Sequence, residues 1–251
     1  MSEYTRNRIL QLLPFADAER LSHLFEPVKL QFKEAIYSSG KPIDYIYFPL
    51  TGMVSVVVDM EGGQTVEAGT IGREGIVGLP AFLGSKKSLC RVITQIAGEA
   101  MRAPVDAFKE ELRRGEALSR VLRRYTAAFI GMLAQTAACN RLHSLEERMC
   151  RWLLTTRDHV GTDGFPLTQD FLGQMLGVRR PSVSLAGAAL QNAGLIKYSR
   201  GQIAIVDRAG LEAAACECYG VIRRHFEDAF NPGGSQDVNN ANNADKVEAT
   251  A

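Results

Sequence analysis

The chain has no run of about 18 apolar residues, so no helix is expected to span a membrane. Its opening residues, MSEYTRNRIL, lack the apolar core and small-residue cleavage site of a secretory signal, so the expected location is the cytoplasm. Cysteine is sparse and odd in number: Cys90, Cys139, Cys150, Cys216 and Cys218. Their scatter argues against a disulfide framework and fits free thiols in a reducing compartment. No charge of one sign dominates, because 29 Lys and Arg face 28 Asp and Glu for a formal net charge of +1. Attraction to a polyanion must therefore come from a local excess. Enzyme signatures are missing too: no G-x-S-x-G elbow and no phosphate loop occur, so no catalytic residues are expected. His23, His143, His159 and His225 stand apart, so no haem or zinc set is visible. Cys216-Glu217-Cys218 would point its thiols about 200° apart on a helix, a poor pair of metal ligands, so no metal is expected.

What is present is an ordinary globular composition, 46% hydrophobic and 23% charged over 251 residues, which favours two domains. Residues 6–25 read as helix with a break at Pro14. From Glu26 short β-favouring runs alternate with turn residues. Tyr45-Ile46-Tyr47-Phe48, Met53 to Val58 and Val92 to Ile96 are strands, and residues 39–42, 49–52, 61–64 and 69–72 are turns. Such spacing predicts a sandwich or barrel. Near Val105 the texture becomes helical. Leu118, Val121, Leu122, Tyr125, Phe129, Met132 and Leu133 form one apolar stripe flanked by Arg120, Arg123 and Arg124. The stripe either packs on the chain's own sheet or forms a dimer seam. Ser144-Leu145-Glu146-Glu147 is a capping box that starts a fresh helix, which makes residues 140–143 the hinge.

The second domain carries the informative pattern. Thr168 is a good N-cap, Asp170 suits a first helical turn, and Phe171, Leu172, Met175 and Leu176 make an apolar face. Gly177 supplies the sharp turn. A second helix, 179–191, begins at Arg179-Arg180-Pro181, since proline is tolerated only in a first turn. Val183, Ala186 and Leu190 face inward, whereas Arg179, Arg180, Ser182 and Ser184 begin the outward face. Two strands, 195–198 and 202–206, follow around the tight turn Ser199-Arg200-Gly201. Between Thr168 and Ile203 the positive residues are Arg179, Arg180, Lys197 and Arg200, against Asp170 alone. This local excess of three positive charges suits contact with phosphates.

The segment LTQDFLGQMLGVRRPSVSLAGAALQNAGLI with its basic hairpin resembles the helix-turn-helix of the Crp/Fnr family of bacterial transcription regulators. IYSSGKPIDYIYFPLTGMVSVV resembles that family's β-roll, the helix through Tyr125 and Met132 its dimer helix, and TAACNRLHSLEERMCRWLL its hinge. The resemblance implies an α+β chain: a cyclic-nucleotide-binding-like jelly roll over 5–105, a central dimerisation helix over 106–139 and a winged helix-turn-helix over 140–230. The tail, 231–251, is polar and Asn-rich with too few apolar residues to pack, so it is expected to be disordered. The resemblance also implies a homodimer on a two-fold operator, with half-sites about one helical turn apart, and RNA polymerase as a further partner. Arg180 stands at the family's base-reading arginine. Thr168 and Gln169 stand at phosphate contacts, together with Arg179, Pro181, Ser182, Ser184, Lys197 and Arg200 as the wider DNA-contacting set. Two departures, Pro181 where glutamate is common and Leu185 where arginine is common, imply an operator of its own. Leu118, Val121, Leu122, Tyr125, Phe129 and Met132 become the expected dimer interface. Glu74 and Arg91 stand as the candidates for ribose and phosphate partners of a cyclic nucleotide. The intrusion of Arg73 and the missing hydroxyl at Val92-Ile93 weigh against that ligand. The iron–sulfur members carry an N-terminal cysteine cluster, and no cysteine precedes Cys90, so neither that cluster nor haem is expected. The rival reading is a ligand-binding module acting on a protein partner; it would have lost the exposed basic and hydroxyl groups between Arg179 and Ser184.

Overall fold

Pro14 divides the N-terminal helical stretch into α1 (Arg8–Gln11) and α2 (Phe15–Ser22), standing as the cap of the second. The computed structural model describes residues 6–231, so the tail expected to be disordered lies outside them apart from Asn231. Seven strands follow: β1 (Glu26–Leu30), β2 (Ala35–Tyr37), β3 (Tyr45–Pro49), β4 (Met53–Asp59), β5 (Thr65–Ile71), β6 (Arg91–Ile96) and β7 (Gly98–Pro104). A short helix, α3 (Leu79–Phe82), lies between β5 and β6. The strands make two antiparallel sheets, β1-β7-β3 and β2-β6-β4-β5. Ile46 and Phe48 of one sheet meet Val54, Ile71 and Val92 of the other in a single core.

The helical segment beyond the roll is two helices, where sequence alone predicts one. α4 (Val105–Arg114) ends at Gly115, whose extended backbone (φ −138°) breaks the hydrogen-bond ladder before α5 (Glu116–Leu142). α5 then lies on the roll. Residues 69–72 read as a turn in the sequence, yet Gly69 to Ile71 belong to β5 and pair with β4. The glycine serves close approach there: a Cβ on Gly69 would stand 2.6 Å from the Met132 methyl of α5.

The expected dimer stripe is corrected by the same packing. Leu118, Val121, Leu122, Tyr125, Phe129 and Met132 are all buried within one chain. The β-roll covers them from one side and α10 (Cys218–Phe230) from the other, through Ile222, Phe226 and Phe230. Large apolar side chains were claimed by the nearest apolar surface, which the chain itself provides.

The C-terminal unit contains α6 (Leu145–Val160), β8 (Gly164–Pro166), α7 (Gln169–Leu176), α8 (Arg180–Asn192), β9 (Ile196–Ser199), β10 (Gln202–Ile205) and α9 (Arg208–Ala214). The Ser144 capping box forms, with Ser144 Oγ accepting from Glu147 N and the Glu147 carboxylate accepting from Ser144 N. The core of this unit is continuous with the outer face of the four-stranded sheet. Met53, Val57, Ile93 and Ile96 pack with Trp152, Leu153, Phe171 and Met175. β4 is therefore covered on both faces from Met53 to Val57, which explains why that stretch is almost uniformly apolar.

Candidate nucleic-acid interface

Thr168 caps α7 by accepting a hydrogen bond from Phe171 N at 3.2 Å. Gly177 takes the left-handed conformation (φ 67°) that ends α7, and α8 starts three residues later at Arg180. The two helices touch closely at Gly173, where a Cβ would stand 2.9 Å from Val178 O. Val183, Ala186 and Leu190 are buried, so the opposite face of α8 is turned to solvent. Arg179, Arg180, Pro181 and Ser182 are all exposed at its N-terminal end. The Arg180 guanidinium lies 3.7 Å from Asp170, a solvent-exposed pair that holds it loosely. Ser184 Oγ donates to Gln169 Oε1 at 2.7 Å, so these two predicted contact residues are tied to each other, and Leu185 is 74% exposed.

The hairpin sits beside this end. β8, β10 and β9 form a three-stranded antiparallel sheet. Arg200 (φ 49°) and Gly201 (φ 75°) make its turn, both in the left-handed region that two-residue hairpins require. Lys197 and Arg200 are exposed on it. Tyr198 Oη donates to Leu167 O at 2.7 Å and anchors the hairpin to the approach of α7. A helix end presenting two arginines and hydroxyls, flanked by a basic hairpin, offers base-edge and phosphate contacts together.

Comparison with known proteins agrees with this geometry. The Crp-like helix-turn-helix domain family matches residues 147–214, and the cyclic nucleotide-binding domain family matches residues 27–114. The chain belongs to the Crp/Fnr family. It is a DNA-binding transcription regulator with a cyclic-nucleotide-binding-like domain. Solved structures share its fold. FixK2 from Bradyrhizobium japonicum superimposes with a TM-score of 0.67 at 17% identity, over 76% of this chain and 98% of its own. A putative Crp/Fnr-family regulator from Eubacterium rectale gives 0.65 at 16%, over 84% and 98%. The c-di-GMP responsive regulator CLP of Xanthomonas campestris gives 0.58 at 16%, over 77% and 100%. No curated protein sequence matches the chain.

In the sensor half of this Crp/Fnr protein the structure does not bring Glu74 and Arg91 together. Arg91 lies at the start of β6 and holds Asp59 in a two-pronged pair at 2.7 and 2.6 Å. Its guanidinium draws the Asp59 pKa down to about 2. Glu74 is buried and turned toward the DNA-binding unit, accepting from Gly72 N at 2.8 Å and lying 2.8 Å from His159 Nδ1 of α6. Burial opposes charge at both groups. Each nonetheless favours its charged form, with Glu74 lowered and His159 raised, because they face each other. His159 Nε2 meets Thr70 Oγ1 of β5 at 3.1 Å. Two turns earlier on α6, Trp152 Nε1 donates to Glu67 Oε1 at 2.9 Å, and Ser55 Oγ donates to Glu67 Oε2 at 2.7 Å. Burial pushes Glu67 up to about 7. Polar residues of β5 and the following loop therefore grip α6. A cleft of about 510 Å³ opens beside this contact, lined by Arg8, Arg73, Glu74, Asp158, Arg208 and Phe226 among others.

The sequence reading missed two groupings. Glu67, Thr70 and Glu74 look like ordinary strand and loop polar residues until α6 is laid on them. Cys139, His143, Cys216 and Cys218 look scattered, yet their ligand atoms lie within 4.8 Å of one another. The helical 200° argument against Cys216 and Cys218 fails because Cys216 precedes α10 and only Cys218 is on it. The four-residue interval from Cys139 to His143 was the readable signal, since it puts both on one helix face.

Proposed function

We propose that the protein works as a homodimer on a two-fold operator, reading one half-site with each α8. Arg180 reads a base and Arg179, Ser182, Lys197 and Arg200 contact phosphates. The observation that carries this is the exposed N-terminal end of α8 beside the basic hairpin. Pro181 accepts no cytosine bond and Leu185 offers only apolar contact, which supports an operator distinct from one read by glutamate and arginine at those places. The dimer is supported by a second stripe on α5, Arg123, Ala127, Ile130, Ala134, Ala137 and Arg141, all exposed and spaced alternately by four and three. That spacing is the seam of a two-helix coil, and its alanines let two backbones approach. The signal acts where β5 grips α6 and the cleft opens. Glu74 held by His159 and Arg91 held by Asp59 support a ligand other than a cyclic nucleotide.

Selection from a random duplex pool should enrich a two-fold site. Arg180→Ala should then lower specific affinity by about 1–3 kcal/mol and relax one base position. Failure to enrich any site would favour the rival reading of a module acting on a protein partner, and unchanged base preference in Arg180→Ala would remove that residue from its role.

A further inference from the structure

The last turn of α5 and the entry to α10 meet at the hinge, and four ligating side chains converge there. Cys139 comes from the last turn of α5, and His143 is the C-terminal cap that follows it. Cys216 comes from the short connection after α9, and Cys218 is the first residue of α10. Cys139 Sγ lies 3.5 Å from Cys216 Sγ, and Cys218 Sγ lies 3.5 Å from His143 Nδ1. The three thiols are buried and make an apolar cluster of their own. We propose that Cys139, His143, Cys216 and Cys218 form a tetrahedral site for a single zinc-class divalent cation.

The dimensions favour one ion. Metal–sulfur bonds of about 2.3 Å at tetrahedral angles put neighbouring ligand atoms roughly 3.5–4 Å apart. The present spread, 3.5 Å at two contacts and at most 4.8 Å overall, lies within about 1 Å of that spacing. An iron–sulfur cluster is a body of several atoms and needs its thiolates further apart. The outer contacts fit as well. His143 Nε2 lies 3.1 Å from Glu217 Oε2, which fixes the ring and leaves Nδ1 toward the thiols, the carboxylate–histidine–metal arrangement. Gln135 Nε2 donates to Cys218 Sγ at 3.1 Å. Three thiolates on a divalent ion carry one net negative charge. Arg148 and Arg151 of α6, both buried and each with an Nε lacking a partner among the described residues, act electrostatically on Cys139. A Cys139–Cys216 disulfide would use two of these thiols and leave Cys218, His143 and Glu217 without a shared purpose. A single ion uses all four ligands and pins α10 to the end of α5, at the joint from which the DNA-binding unit hangs.

The test uses the full chain, purified under reducing conditions and loaded with Zn(II) or Co(II). One metal per chain is expected, and the cobalt form should show thiolate-to-cobalt charge transfer with the intense visible bands of tetrahedral geometry. Cys139→Ser and Cys216→Ser should lose the metal, whereas Cys90→Ser, outside the cluster, should keep it. Glu217→Gln changes an exposed side chain and should fold normally; it should weaken Zn(II) binding by about 10- to 100-fold. Octahedral cobalt spectra, full metal retention in Cys216→Ser, or mass spectra showing a Cys139–Cys216 disulfide in protein that takes up no metal would each overturn the proposal.

Discussion

Helix α8 buries Val183, Ala186 and Leu190 and leaves Arg179, Arg180, Ser182 and Leu185 in solvent. Helix α5 buries Leu118, Val121, Leu122, Tyr125, Phe129 and Met132, and leaves a thinner stripe of alanines, Ile130 and arginines outside. In α8 one apolar stripe meets one small core, and the polar remainder is free for a partner. In α5 the strongest stripe was spent inside the chain, between the β-roll and α10. The surface left for a second copy is the weaker one. Periodicity thus shows that a face is covered, and the amount of apolar area at hand decides what covers it.

Paired variants on α5 should separate the two stripes most sharply. Phe129→Ala should cost about 3–5 kcal/mol of folding stability by leaving a cavity, measured by denaturant unfolding. Ile130→Glu should shift monomer stability by no more than about 0.5 kcal/mol. It should still abolish the dimer in sedimentation and weaken operator binding by about 10²- to 10⁴-fold, the avidity of two linked half-sites. The reverse result, a stable monomer from Phe129→Ala, would return the seam to the buried stripe.

The grip of β5 on α6 should respond to pH. Glu67 has its pKa raised to about 7 from an ordinary 4.5, so its contribution is fully present below about 4.5 and is lost as pH rises through 7. His159, also raised, acts in the same direction through its pairing with Glu74, and Asp158 and Glu67 add to that shift. Glu74, held low by His159, acts oppositely and only as pH falls below its ordinary range. Amide protection along β5 and α6, taken relative to intrinsic exchange, should therefore fall between about pH 4.5 and 7, with His159 adding a further fall above its ordinary 6.5, and Glu67→Gln should flatten much of the first change. A pH-independent protection factor there would show that the polar grip does not hold the two units.

The smallest expected effect lies on the hairpin next to α8. Lys197→Ala should weaken binding to all DNA sequences alike and reduce the salt slope by about one. A loss confined to one operator would make Lys197 a base reader and blur its contrast with Arg180.

Much of the DNA-binding unit is legible in the residues because its signals are local. Thr168 as cap, Gly177 as turn, Pro181 in a first turn and Arg200-Gly201 at positive φ each act within a few residues of themselves. Three strands of the β-roll, β3, β4 and β6, are legible for the same reason, whereas the end of β5 reads as a turn because Gly69 answers to Met132, which is distant in sequence.

The amino-acid order by itself determined the helices and hairpin of the DNA-binding unit, three strands of the β-roll, the exposed reading end of α8 and the local excess of positive charge, since caps, turns and periodicity depend on near neighbours. Only the tertiary structure decided which stripe of α5 is spent at home, that Glu74 serves His159 while Arg91 serves Asp59, and that Cys139, His143, Cys216 and Cys218 meet. Those outcomes join residues from about 30 to about 100 positions apart, and such pairings follow from how buried surface and buried charge are shared across the whole chain.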